Sequence, residues 1–194
     1  FREHDPRDLV NALFYTNKTG CQWRMIPEHF PPWQTVYYHF RNWTTSGLWE
    51  RLNDAVRRAA RVKAGRKPSP SAAIIDSQSV KTSHMGGERG FDGGKKVTGR
   101  KRHIVVDTLG LLLAVMVHSA GIHDSQQAPH PLKRLMGKVP RLQVIYADQG
   151  YAGTPGSLVW RCFGWLWEVV HRVERGFVVL KKRWIVERTF AWFG

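Results

Sequence analysis

Three carboxylates stand at the ends of apolar runs or inside one. Asp76 follows Ala73-Ile74-Ile75, Asp148 follows Val144-Ile145-Tyr146-Ala147, and Glu187 sits in the helix-like stretch Arg183-Trp184-Ile185-Val186-Glu187-Arg188-Thr189-Phe190. An acid placed directly after three or four apolar residues lies at the carboxyl end of a buried strand, the edge where open α/β sheets bind ligands. Hard carboxylate oxygens suit Mg²⁺, which they commonly hold together with phosphate. Asp76 carries the sharpest signal, because a carboxylate beside Ile74 and Ile75 needs a cation, an arginine or water. Asp148, ahead of Gln149-Gly150, could simply open a turn. Glu187 could pair with Arg183 or Arg188 on its own helix. Asp107 precedes Thr108-Leu109-Gly110 and is expected to serve a hairpin turn, and Asp92 falls in a glycine-rich loop without strand context.

These acids sit in a strongly basic chain. The 194 residues carry a net charge of +15 and a pI near 10.4, which points to a polyanionic partner, nucleic acid ahead of an anionic membrane. A hydrophobic content of 42% suffices for one α/β domain and a smaller appendage. The longest apolar run, residues 109–117, includes Gly110 and falls short of the ~20 residues of a membrane span. No signal peptide is visible. Cys21 and Cys162 are too few and too isolated for a disulfide framework or a zinc site, so a reducing, cytoplasmic setting is predicted. Neither Phe1 nor Gly194 lies at a cap or stop signal, and the chain is expected to be a fragment of a longer protein.

The elements that must position the acids follow from periodicity. Residues 1–62 are predicted to be helical and to form a small helix-turn-helix-like domain, with DNA contact and a merely packed bundle both open. Asp5-Pro6 opens a first helix that ends at Gly20; Pro31-Pro32 opens a second; a third begins near Leu48. Residues 63–70 form a basic, proline-containing linker. Residues 71–194 form an α/β domain: a strand over 72–80, a glycine-rich loop over 83–99, a hairpin of 102–107 with 111–118, a short helix over 124–136 interrupted by Pro129 and Pro131, and a strand over 142–147. A helix over 157–165, an extended stretch over 166–171 and a helix over 182–193 complete it. That order, with acids on the first strand, the fourth strand and a late helix, is the ribonuclease H-like arrangement. The glycine loop lacks a Gly-Lys-Ser/Thr signature, which argues against a nucleotide P-loop. Basic clusters at Arg57, Arg58, Arg61 and Lys63, at Lys95, Lys96, Arg100, Lys101 and Arg102, and at Lys181, Lys182 and Arg183 are predicted to track phosphates. The alternative for each is a solvated charge run.

Longer blocks carry a resemblance. Thr19-Gly20-Cys21-Gln22-Trp23-Arg24-Met25-Ile26-Pro27, Ile75-Asp76-Ser77-Gln78-Ser79-Val80-Lys81, Ala147-Asp148-Gln149-Gly150-Tyr151-Ala152-Gly153 and the Glu187 block resemble the DDE transposases of bacterial insertion sequences, in the insertion-sequence-five group of the insertion-sequence-four-like set. The resemblance implies Asp76, Asp148 and Glu187 as a catalytic, metal-binding triad. It implies two Mg²⁺ ions with Mn²⁺ as substitute, and double-stranded DNA, both transposon ends and target, as substrate. It also implies a homodimer in the synaptic complex, no membrane, and a bacterial, nucleoid-associated protein. Arg183 matches the family's arginine four residues before the glutamate. Leu180 and Gly194 stand where the larger set has a tyrosine and a lysine, so those two roles are not assigned. Two alternatives remain: an inactive remnant that only binds DNA, and a different ribonuclease H-like nuclease.

Overall fold

The structure, a computed structural model, describes residues 4–82, 86–170 and 183–193. It divides into two compact units, residues 1–55 and residues 56–194, and the helix α3 (Leu48–Lys63) contributes to both.

In the first unit α1 (Pro6–Thr19) starts where the Asp5 carboxylate accepts the Arg7 N–H and Pro6 occupies the first turn. It stops at Gly20, whose φ of 65° lets its N–H reach the Thr16 carbonyl. A 3-10 turn (Trp23–Met25) and α2 (Trp33–Thr45) follow, the latter beginning behind Pro32. Leu9, Ala12, Leu13 and Val36 form the core, with Trp23, Ile26, Phe30, Trp43 and Trp49 packed around them.

The second unit is built on one mixed sheet. Its central strand, β1 (Ala72–Lys81), pairs antiparallel with β3 (Val97–Asp107), and β4 (Leu112–Ser119) pairs antiparallel with the other edge of β3. A short β2 (Gly90–Asp92) pairs with the start of β3. On the other side β5 (Val144–Ala147) runs parallel to β1, and β6 (Leu166–Val169) runs parallel to β5. Helices α4 (Asp124–Gln127) and α5 (Pro129–Lys133) follow β4, α6 (Gly156–Phe163) links β5 to β6, and α7 (Arg183–Ala191) comes last. Three antiparallel strands continued by two parallel ones around β1 are the ribonuclease H-like arrangement read from the sequence.

Both faces of this sheet are covered, which is why β1 opens with four consecutive apolar residues, Ala72 to Ile75, rather than an alternation. Ile75, Val105, Leu113 and Ile145 face one way, against Leu132, Leu135, Val159 and Trp165. Ile74, Ile104 and Val106 face the other way, against Ile185, Val186 and Phe190 of α7. One local expectation is corrected: the glycine-rich segment is not wholly a loop, because β2 forms within it. The helix that begins at Asp124 is interrupted at Pro129, as expected, where Pro129 starts a new piece.

Candidate active site

The ladder between β1 and β5 fixes the first two acids. Ile75 pairs with Ala147 as the last matched residues of that parallel ladder, so Asp76 and Asp148 are the next residues on adjacent strands; Asp148 follows the end of β5, whereas Asp76, expected at a strand end, lies mid-strand because β1 continues along β3 to Lys81. Side chains alternate faces along a strand, so Asp76 shares the face of Ile74 and Asp148 that of Tyr146, the face α7 covers. The two carboxylates line one cleft with Tyr146, Ala147, Val170 and Val186. Asp76 is 8% exposed and accepts the Ser77 N–H at 2.7 Å. Asp148 is half-buried and accepts the Gly150 N–H at 3.0 Å, closing a 3-10 turn (Gln149–Tyr151). Glu187 follows Val186 on α7 and is exposed. Among the described residues no three His, Cys, Asp or Glu side chains gather closely enough to hold an ion on their own.

Asp107 shapes the hairpin turn, as expected, and does more. One of its oxygens accepts the Leu109 and Leu111 N–H groups at 2.8 and 3.0 Å, and the other is paired with Arg61. The same turn docks α7: the Thr189 hydroxyl donates to the Gly110 carbonyl at 2.9 Å and the Arg188 guanidinium to the Leu109 carbonyl at 2.8 Å. Gly110 has a φ of 83°, and a Cβ there would lie 2.9 Å from the Arg188 guanidinium and 3.0 Å from the Thr189 hydroxyl. Asp107 therefore orients the helix that carries Glu187.

The basic residues divide. Arg57 and Arg61 are 3% and 4% exposed, which overturns their reading as phosphate contacts; a buried guanidinium needs a partner, and Arg61 has one in Asp107. Lys101 is likewise 5% exposed, its ammonium 2.9 Å from Asp124, 3.5 Å from Asp92 and 3.1 Å from the Ile122 carbonyl. Arg58, Lys63, Lys95 and Lys96 are exposed. Lys95 bends toward the acids, donating to the Ser77 carbonyl at 3.1 Å. Arg100 donates to the Glu88 carbonyl, and Arg102 donates to Gln78 while lying over Phe190 and Phe193. Lys181, Lys182 and the Arg183 side chain lie outside the described residues.

Sequence reasoning missed a buried polar group behind the acids. His103 and Tyr151 are fully buried, with the Tyr151 hydroxyl 2.8 Å from His103 Nδ1 and His103 Nε2 3.6 Å from Asp124. Burial pushes the His103 imidazole down to about 3, against the pull of Asp124, so it is neutral at pH 7. Burial, reinforced by Asp76, Asp124 and Asp148, raises the Tyr151 phenol well above its ordinary value. Burial works against ionising Asp124, but Lys101 outweighs it and holds that carboxyl below the usual range. Burial also opposes the charge on Asp92, yet the Ser79 hydroxyl, the Lys95 N–H and Lys101 bring it to about 2. Asp92 thus has the strand context denied to it above: it ends β2 and caps the turn that follows. A signal for the buried lysine and histidine did exist. In β3, Lys101 and His103 alternate with Arg100 and Arg102 and share the parity of Val105, which faces the core.

Comparison with known proteins agrees with this arrangement. Residues 1–53 match a family described as "Putative transposase of IS4/5 family", and residues 67–161, which contain Asp76 and Asp148, match one described as "Transposase DDE domain". Both matched stretches are thus similar to insertion-sequence transposases, and DDE transposases generally work with divalent metals. A curated relative from Burkholderia cepacia, "Putative transposase for insertion sequence element IS402", is 37% identical over 103 residues, 48% of this chain and 48% of the relative. A second from the same organism, "Insertion element IS402 uncharacterized 16.2 kDa protein", is 27% identical over 86 residues, 43% of this chain and 57% of the relative. The chain spans about half the length of the curated relatives it matches. Among solved structures, the Mos1 strand transfer complex shares 12% identity with a TM-score of 0.32, covering 89% of this chain and 61% of that one. The Mos1 transposase paired-end complex with left transposon end has a TM-score of 0.29 at 12% identity, covering 87% and 61%.

Proposed function

We propose that this chain carries the strand-cutting and strand-joining chemistry of an insertion-sequence transposase on double-stranded DNA, with Asp76, Asp148 and Glu187 as its metal-binding acids. The observation that carries the reading is the placement of Asp76 and Asp148 side by side on adjacent parallel strands, just past the end of their shared ladder, in a chain of net charge +15.

The residues fit Mg²⁺, or Mn²⁺ in its place. Their donors are hard carboxylate oxygens, and one or two carboxylates with phosphate oxygens are an ordinary Mg²⁺ set. Asp76 and Asp148 would hold one ion, and Asp76 with Glu187 a second. When bound, such ions stabilise charge on the attacking and leaving oxygens of an in-line displacement at phosphorus. The chain's own contribution is orientation. The Asp148 turn and the Ser77 N–H fix carboxylate rotamers, Ile74, Tyr146 and Val186 keep the floor of the cleft dry, and the Asp107 turn holds α7. Lys95, beside Ser77, is placed to meet a phosphate entering this edge. Arg58, Lys63, Lys96, Arg100 and Arg102 would follow the backbone beyond it, together with Lys181, Lys182 and Arg183. Joining two transposon ends calls for two copies of the chain, and work on genomic DNA places it at the bacterial nucleoid. No helix among the described residues is long and apolar enough to cross a membrane.

One observation favours a second reading, a chain that binds DNA without cutting it: the three acids are not gathered into a single ligand set. A duplex bearing the inverted repeat that flanks the reading frame, incubated with the chain and Mg²⁺ or Mn²⁺, separates the two. A nicked product that disappears with chelator supports the transposase reading. Retained binding with no product in either metal supports the other.

A further inference from the structure

Behind Asp76 and Asp148 lies a set of polar side chains that the proposed chemistry does not touch. It starts at Tyr151, at the end of the turn that follows Asp148, and passes from the Tyr151 hydroxyl to His103 on β3, at 2.8 Å. His103 Nε2 faces Asp124 at 3.6 Å and has no hydrogen-bond partner among the described residues. Asp124 begins α4, and the Lys101 ammonium lies 2.9 Å from the same carboxylate oxygen. At Gly150 the two ends of this path meet. A Cβ there would lie 3.1 Å from an Asp148 oxygen and 3.2 Å from an Asp124 oxygen, so both carboxylates press against one glycine.

We propose that Lys101, Asp124, His103 and Tyr151 form a positioning chain that holds the Asp148 turn, and through it the Asp148 carboxylate, in the geometry the metal site requires. The proposal rests on the reading of Asp76 and Asp148 as metal ligands. Its first ground is cost. A buried ion pair is often no more stabilising than apolar side chains of the same shape, so stability alone does not account for the largely buried pair of Lys101 and Asp124. Its second ground is direction. A protonated Tyr151 donates to His103 Nδ1, which leaves the hydrogen of the neutral imidazole on Nε2, pointing at Asp124. A hydrogen bond thus joins Tyr151 to His103, an ion pair joins Lys101 to Asp124, and His103 Nε2 faces Asp124 across 3.6 Å. Its third ground is charge. Asp124 lies close to Asp148, and two carboxylates share so small a space only with a cation nearby, which Lys101 supplies without occupying the cleft.

Partners that orient metal ligands typically cost 10–100-fold in metal affinity or activity when removed. Tyr151→Phe takes away one hydroxyl and keeps the ring. Lys101→Met with Asp124→Leu replaces the ion pair by apolar side chains. The full chain and both variants are compared in three ways: kcat and KM on an end-bearing duplex, melting temperature without metal, and the rise in melting temperature on adding Mn²⁺ without DNA. We expect both variants to lose about 10–100-fold in kcat with KM for DNA unchanged, and to show a smaller Mn²⁺-induced rise. The double variant also deprives Asp92 of Lys101 and should melt lower than the wild type for that reason, whereas Tyr151→Phe should melt near the wild-type temperature. Wild-type kcat and Mn²⁺ response in Tyr151→Phe would overturn the positioning role while leaving the transposase reading intact. Losses of kcat that simply track a lower melting temperature in both variants would overturn it as well. A wild-type chain that neither cuts nor responds to Mn²⁺ overturns the proposed function, and the positioning role with it.

Discussion

At the scale of single residues, environment separates side chains that the sequence groups together. Lys101 and Arg102 are neighbours in one basic cluster, yet Lys101 is buried against Asp92 and Asp124 while Arg102 lies partly open over Phe190 and Phe193. The cluster announces charge, whereas the strand's two-residue period decides where each charge points. His103 makes a prediction with a definite sign. Its imidazole titrates near 3 in the fold and near 6.5 when unfolded, so below about 6.5 the unfolded chain binds the additional proton. Its contribution to stability is complete above that pH and is lost as pH falls toward 3. His118, lowered chiefly by burial, acts in the same direction. Melting temperature measured from pH 7.5 to 4.5 should fall, and His103→Gln should flatten the fall. An equally steep fall in the variant would show that His103 is not buried neutral. Asp92 acts at lower pH, its stabilising effect vanishing as pH drops from about 4 to about 2.

At the scale of elements, what the sequence made legible was whatever an apolar period dictates. The strands carrying Asp76 and leading to Asp148 were readable because both faces of the sheet are covered, so Ile74 and Ile75 both had to be apolar. Helix α1 was readable because Asp5, Pro6 and Gly20 mark its ends. Strand β2 was not, since three residues inside a glycine-rich stretch carry no period and are held by pairing with Thr98 and its neighbours. The double duty of Asp107 was hidden as well: its turn is local, but Arg61 is 46 residues away. Asp107→Ala should leave Arg61 buried without its partner and cost about 3–5 kcal/mol. It should also loosen the turn that docks α7. Urea unfolding measures the first effect, and protection of α7 amides from hydrogen exchange the second. A cost below about 1 kcal/mol would mean that this ion pair does not anchor the turn.

At the scale of the whole molecule, charge is unevenly shared. Residues 1–55 hold six basic side chains (Arg2, Arg7, Lys18, Arg24, Arg41, Arg51) and six acidic ones (Glu3, Asp5, Asp8, Glu28, Glu50, Asp54), so the entire +15 excess belongs to the second unit. Attraction to phosphate therefore resides there, and any part the helical unit plays in DNA recognition rests on shape and specific contacts. Log affinity for DNA should fall by about 0.9 per neutralised phosphate for each log unit of salt. Replacing Lys95, Lys96 and Arg100 by Gln should flatten that slope on cognate and random duplexes alike, because phosphate contacts do not read bases. An unchanged slope would reduce these residues to a solvated loop.

The central claim is that Asp76, Asp148 and Glu187 act together as metal-binding acids, although the structure gathers only the first two into one cleft and the matched DDE domain ends before the third. Asp76→Asn, Asp148→Asn and Glu187→Gln, each assayed for nicking of an end-bearing duplex in Mg²⁺ and for binding to the same duplex, test it most directly. The account predicts that every one of the three abolishes nicking, with DNA affinity within about twofold of wild type. Nicking at the wild-type rate by any one of them would contradict it.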